Sequence, residues 1–141
     1  LSLGLEEPTM LIEKIQSGQE DLAIIVRSQF HKDGVDFITP DDSIIQMGYM
    51  SYEKGKEIQA HVHKPFRRET YGTQEVIFVK KGKVQVDFFS ADLKPVTSRI
   101  LEENDWLVLL SGGHGFKILE DAQMMEVKNG PYAGDQDKSR F

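Results

Sequence analysis

From residue 10 to residue 128 the chain is a succession of short, β-prone runs, each closed by turn-forming residues. MLIEKI (10–15) meets Ser17-Gly18, and DLAIIVRSQF (21–30) runs to the Asp33-Gly34 dipeptide. VDFIT (35–39) stops at Pro40-Asp41-Asp42, and SIIQMGYMSY (43–52) stops at Lys54-Gly55-Lys56. Then come EIQAHVH (57–63), EVIFVKK (75–81), KVQVDFFS (83–90), PVTSRIL (95–101), WLVLL (106–110), HGFKIL (114–119) and QMMEVK (123–128). Val, Ile, Phe and Tyr suit a pleated, half-buried surface, and Gly, Asn, Asp and Pro supply the dihedrals of reversals. Roughly ten short strands at such regular spacing predict an all-β sandwich or barrel. Gly82, between two such runs, predicts a hairpin whose tip carries Lys80, Lys81 and Lys83.

The remaining arithmetic narrows function. At 141 residues the chain suits one domain. We expect residues 1–9 to be a leader or cloning remnant, 10–128 the barrel, and 129–141 a tail held on the barrel by Tyr132 and Phe141. There is no cysteine, so thiolate metal sites, disulfides and Cys nucleophiles are excluded. That fits a reducing, cytoplasmic setting. The net charge of −6 argues against a nucleic-acid binder, which needs a basic face. No apolar run exceeds five residues, as in Trp106–Leu110, so no helix spans a bilayer and no membrane partner is expected. The sequence has no GxSxG elbow, phosphate loop or dinucleotide fingerprint.

Four histidines remain: His31, His61, His63 and His114. On a strand, side chains two apart share a face, so His61 and His63 can converge on one point. Five residues separate Gly55 from His61, and six separate Glu75 from Gly82. Gly-x5-His-x-His followed by Glu-x6-Gly resembles the first motif of the cupin superfamily. The segment KPFRRETYGTQ between His63 and Glu75 is longer than usual there and reads as an enlarged loop. Glu69 lies nearer the usual gap but has no glycine seven residues on, so Glu75 is the better match. Asn104-Asp105 and SGGHGF resemble the second motif and place His114 on it, although Leu109 and Ile118 stand where that motif has Pro and Asn. The likeness is to small, single-domain cupins of the conserved-barrel type.

The resemblance implies a double-stranded β-helix, the jelly-roll barrel, with His61, His63, Glu75 and His114 as ligands of a divalent transition metal. Imidazoles with one carboxylate suit Fe, Mn, Ni, Zn or Cu and leave coordination positions open. The family makes two kinds of chemistry plausible on a small polar substrate such as a carboxylate, keto acid or sugar derivative. One is isomerase or epimerase chemistry and the other is dioxygenase chemistry; the alternative is a small-molecule-binding barrel without turnover. Cupins of this size are often homodimers, and the N-terminal strands are the expected exchanged element.

Around that site, Arg67 and Arg68 are candidates to hold a carboxylate or phosphate. Gln59, which shares the parity of the histidines, and Tyr71 are further substrate-binding candidates. Thr70, Thr73 and Gln74 precede Glu75 and are candidates to orient a ligand, and Gln46 and Tyr49 are further polar candidates. Ile77, Val79, Phe116 and Ile118 are expected to line the interior, with Val76 and Phe78 on the other face. His31 reads as a surface histidine and Asp105 as a turn residue.

Overall fold

The computed structural model describes residues 10–141, so the expected leader at 1–9 lies outside the described residues. The fold is all-β, with no α-helix among the described residues. In chain order the strands are β1 (Ile12–Ser17), β2 (Glu20–Val26), β3 (Gly34–Phe37), β4 (Gly48–Ser51), β5 (Glu75–Phe89), β6 (Pro95–Leu101), β7 (Trp106–Leu109) and β8 (Gly113–Lys128). A 3₁₀ turn follows at Gly134–Asp137. One antiparallel sheet runs β1-β2-β7-β5-β6, β8 pairs with β5, and β3-β4 form a separate hairpin. The sheet is strongly curled and forms a half-barrel. No helix is long and apolar enough to cross a membrane among the described residues.

Strand alternation explains the core. Ala23, Ile25, Ile77, Val79, Leu107 and Leu109 face one way and pack with Val84, Val86, Phe88 and Leu101 in the larger cluster. Their neighbours Ile24, Val26, Val76 and Val108 face the other way, under Phe30, Ile38, Ile45 and Met47. The central strands are thus covered on both sides, which is why LAIIV in β2 is apolar without interruption. The expected division of Ile77 and Val79 from Val76 holds, and Phe78 stacks on Trp106 with centroids 4.5 Å apart. Ile118 departs from expectation, at 55% exposed.

Two reversals and one strand expected from the sequence are absent. Gly82 does not close a hairpin: β5 passes through it as one strand of 15 residues, so Lys80, Lys81 and Lys83 are not at a tip. HGFKIL and QMMEVK are likewise one strand, β8. These two long strands are zipped to each other from Glu75↔Lys128 to Phe89↔Gly113, and the shared ladder carries each through its would-be turn. Gly82 instead makes a bend. It has φ of 91°, and register shifts cluster there between Val79 and Val84. A Cβ at Gly82 would lie 2.2 Å from the Asp121 carbonyl oxygen, so β8 presses directly on the bend.

The third absent element is EIQAHVH. Residues 52–74 contain no strand, and 52–73 are exposed throughout. We refer to 52–74 as the arm. At the other end of the chain, Phe141 packs edge-on against Phe89 with centroids 5.0 Å apart, as expected. Tyr132, at 88% exposed, does not pin the tail. Asp137 does so instead, accepting from the Thr73 hydroxyl and from Lys128 Nζ at 3.4 Å.

Candidate functional site

Glu75 is the first residue of β5 and, among the described residues, one of four buried polar or charged ones. It lies between Leu109 of β7 and Lys128 of β8. The preceding Gln74 clamps the chain: its N–H donates to Asn129 Oδ1 (3.0 Å), its side chain donates to the Leu110 carbonyl (3.3 Å) and accepts from the Ile45 N–H (3.2 Å).

His114 arrives from the far end of the ladder. It pairs with Phe88, thirteen residues along β5 from Glu75. On a straight strand that separation would be about 43 Å. Yet His114 Nε2 stands 3.2 Å from Glu75 Oε2. The curl of β5 and β8 around the Gly82 bend closes that distance. The second requirement is the short return from β7. Leu109 is the partner of Glu75 and Gly113 the partner of Phe89, so the few residues between them join the two ends. Gly112 makes this possible, with φ of 71° and no room for a Cβ, which would lie 2.3 Å from the Phe89 carbonyl oxygen.

The hydrogen bond from His114 holds the Glu75 carboxyl below its ordinary value of 4.5; burial opposes this, and the Glu126 carboxyl and the charges of His114 and Lys128 reinforce it. The sign of the linked stability follows. A carboxylate whose pKa is depressed by folding stabilises the fold above its ordinary value, and that contribution is lost as pH falls through the folded-state value. In metal-free protein, the melting temperature of wild type is therefore expected to fall more steeply below about pH 4.5 than that of Glu75→Gln. Parallel curves from pH 7 to pH 3 would show that the pair contributes nothing.

Glu126 and Lys128 have no place in either motif, yet they complete the surroundings of Glu75. Lys128 Nζ is 3.7 Å from Glu126 and 3.4 Å from Asp137. An open cleft of about 270 Å³ adjoins Lys128, which lines it with Thr73, Asn129, Tyr132 and Asp137 among others. The signal for these two residues was the alternation Met124-Glu126-Lys128 within QMMEVK, which sets two charges on one face of a strand otherwise rich in apolar residues.

The other expected residues lie in the arm. The His61 and His63 rings are 5.3 Å apart, and His61 Nδ1 is 3.0 Å from the Gln59 carbonyl. Gln59 is exposed and its expected interior position is not seen, since 57–63 is not a strand. Arg67 pairs with Glu69 at 3.0 Å, the Arg68 guanidinium covers the Phe66 ring at 3.8 Å, and Tyr71 is fully exposed. The structure thus brings Glu75 to His114 and His61 to His63, but not the two pairs together. Among the described residues no group of three or more His, Asp or Glu side chains is placed to hold a metal. His31 is at the surface, bonded to Asp33 (2.9 Å) and Tyr49 (3.3 Å). Gln46 is spent on the 40–43 turn, donating to the carbonyls of Pro40, Asp41 and Ser43. Asp105 is a turn residue as expected, accepting from the Ser28 and Glu102 N–H groups.

No protein-family model, curated protein or solved structure matched the chain.

Proposed function

We propose that this chain is a cupin-type metal protein acting on a small polar substrate, with His61, His63, Glu75 and His114 as ligands of a divalent transition metal. The observation that carries the reading is the Glu75–His114 contact at 3.2 Å, made by residues at opposite ends of a long β-ladder. The donors suit Fe, Mn, Ni, Zn or Cu: imidazoles and a carboxylate held at low pKa, with no thiolate. Their placement fits in two halves, a sheet pair already in contact and an arm pair already adjacent. A metal bound there would supply Lewis acidity or a site for oxygen chemistry.

A specific observation favours an enzyme over a passive binding barrel. A barrel that merely holds a ligand has no use for an acid–base group beside its ligating carboxylate. Here Glu126, opposite Ile77 in the ladder, is on the same face as Glu75, and Lys128 stands 3.7 Å from it. Glu126, paired with the cleft-lining Lys128, can hold or deliver a proton, and Lys128 with Thr73 can orient a carboxylate or hydroxyl in the cleft. These are the groups that isomerisation or epimerisation of a keto acid or sugar derivative requires. We assign that chemistry ahead of dioxygenation.

Metal analysis of protein purified without chelators and without a polyhistidine tag tests the reading. Wild type is expected to hold about one equivalent per chain. His114→Ala and His61→Ala are each expected to weaken metal binding by more than about 100-fold, beyond the effect of losing an outer-shell partner. Glu75→Gln is expected to weaken it too, and Glu69→Gln to leave it unchanged. Full metal content in both histidine variants, or none in wild type even after loading, would overturn the assignment.

A further inference from the structure

We infer that the arm of one copy docks along the free edge of β8 in a second copy, by two-fold exchange, and there brings His61 and His63 to the partner's Glu75–His114 pair. The part about the histidines rests on the metal reading above; the docking itself does not.

Four observations carry it. The first is the arm's pattern. Glu57, Gln59, His61 and His63 alternate with Ile58, Ala60 and Val62, which is the pattern of a strand with one apolar face. In the structure it is paired with nothing, and Ile58, Val62, Phe66 and Tyr71 are 60%, 85%, 64% and 100% exposed. Twenty-odd residues without regular structure in a chain this short mark a functional or binding segment.

The second is the vacant edge. β8 runs for 16 residues and, among the described residues, pairs only with β5. An unpaired edge of that length is a template for another strand. Ile118, Leu119, Met124, Met125 and Val127 stand exposed along it. His114 is at its start, so a strand laid on this edge with its polar face inward passes the Glu75–His114 pair. The same strand would continue the half-barrel towards closure.

The third is charge. Residues 52–74 hold five basic and three acidic side chains, a net of +2 within a chain of −6. The remainder of the chain is strongly acidic, so the arm is complementary to the body of its own kind. The fourth is scale and the state of the single chain. Residues 52–73 of each copy, exchanged twice by symmetry, supply the 20–30 residues a side that a stable interface uses. The arm differs in this from β1, which is paired with β2 of its own chain. A single chain leaves both the arm and the edge unfilled; a second copy fills both.

Complementation between two defective chains tests this. One carries His61→Ala and His63→Ala; the other carries Glu75→Gln and His114→Ala. They are co-expressed with different tags, neither of them polyhistidine, and the doubly tagged complex is stripped and loaded with Ni²⁺. Light scattering of wild type is expected to give about 32 kDa, twice the 16.1 kDa chain. Each variant alone is expected to bind no Ni²⁺. The mixed dimer is expected to bind about one per dimer, half the wild-type amount, because one of its two sites receives an intact arm and an intact sheet pair. A monomeric wild type overturns the exchange. So does a wild type that binds Ni²⁺ beside a mixed dimer that binds none, the result of an arm folded onto its own chain. If wild type itself binds no Ni²⁺, the metal reading fails and the exchange is decided without metal. Replacing residues 56–71 by a short Gly-Ser linker should then give a monomer with the wild-type circular dichroism of the sheet, and a persistent dimer would overturn the docking.

Discussion

Gly82→Ala is expected to destabilise the fold by at least about 3 kcal/mol, lowering the melting temperature by roughly 10 °C. Two effects add. With φ of 91°, an alanine there is strained by about 1–2 kcal/mol even in open space. Space is also missing, because the new Cβ would lie 2.2 Å from the Asp121 carbonyl oxygen and 2.8 Å from the Ala122 Cα. Both are backbone atoms held in the β5–β8 ladder and cannot swing aside. Gly34→Ala separates the two effects: Gly34 has φ of 80° with nothing within 4 Å of the added Cβ, so it should lose only the strain component. Equal losses at Gly82 and Gly34, measured by urea unfolding, would show that the bend does not depend on close approach of β8. Because the bend brings His114 to Glu75, Gly82→Ala should also abolish the Glu75-linked acid dependence of stability in whatever protein remains folded.

The same glycine shows how far the fold was legible in the sequence. Strands bounded by turn chemistry at both ends were read closely: PVTSRIL is β6 residue for residue, and WLVLL differs from β7 by one. The failures share one physical cause. A glycine announces that the backbone leaves the ordinary region, but whether the chain then reverses or bends is decided by the strand beside it. At Gly82 the 16-residue β8 supplies a continuous partner, and the chain bends. EIQAHVH is the converse case. Its alternation states which side chains share a face, and contains nothing about which edge accepts it. The nearness of Glu75 and His114 was legible because each stands at a fixed spacing from a glycine, Gly82 for one and Gly112 for the other; Glu126 and Lys128 were not, since an acid and a base two apart on an edge strand look like a solvated face until the β5–β8 pairing sets them beside Glu75.

Asp105→Ala is expected to cost about 4 kcal/mol, enough to lower the melting temperature by more than 10 °C. Asp105 is 4% exposed and stands immediately before β7. Its carboxylate accepts from the Ser28 N–H at 2.9 Å, the Glu102 N–H at 2.8 Å and Arg27 Nη1 at 3.0 Å, so one side chain ties together the ends of β2, β6 and β7. Arg27 also donates to the Ile100 carbonyl at 2.6 Å, but its Nε is buried without a partner. Deleting the carboxylate would therefore leave a largely buried guanidinium with no counter-charge and two backbone N–H groups without acceptors. A stranded buried charge is the larger part of the loss, about 3 kcal/mol or more, and the orphaned donors contribute the rest. That ranking gives a sharper test than the single variant. Asp105→Asn keeps an acceptor but removes the charge, and should fall between wild type and Asp105→Ala. Adding Arg27→Met to Asp105→Ala removes the stranded cation and should recover stability relative to Asp105→Ala alone, a coupling of at least about 1 kcal/mol in the double-mutant cycle. If Asp105→Ala loses less than 1 kcal/mol, or Arg27→Met only adds to its loss, the carboxylate is no more than a turn residue. If the recovery is seen, the Arg27–Asp105 pair fixes where β7 begins, and through Leu109 where Glu75 lies on the curled sheet.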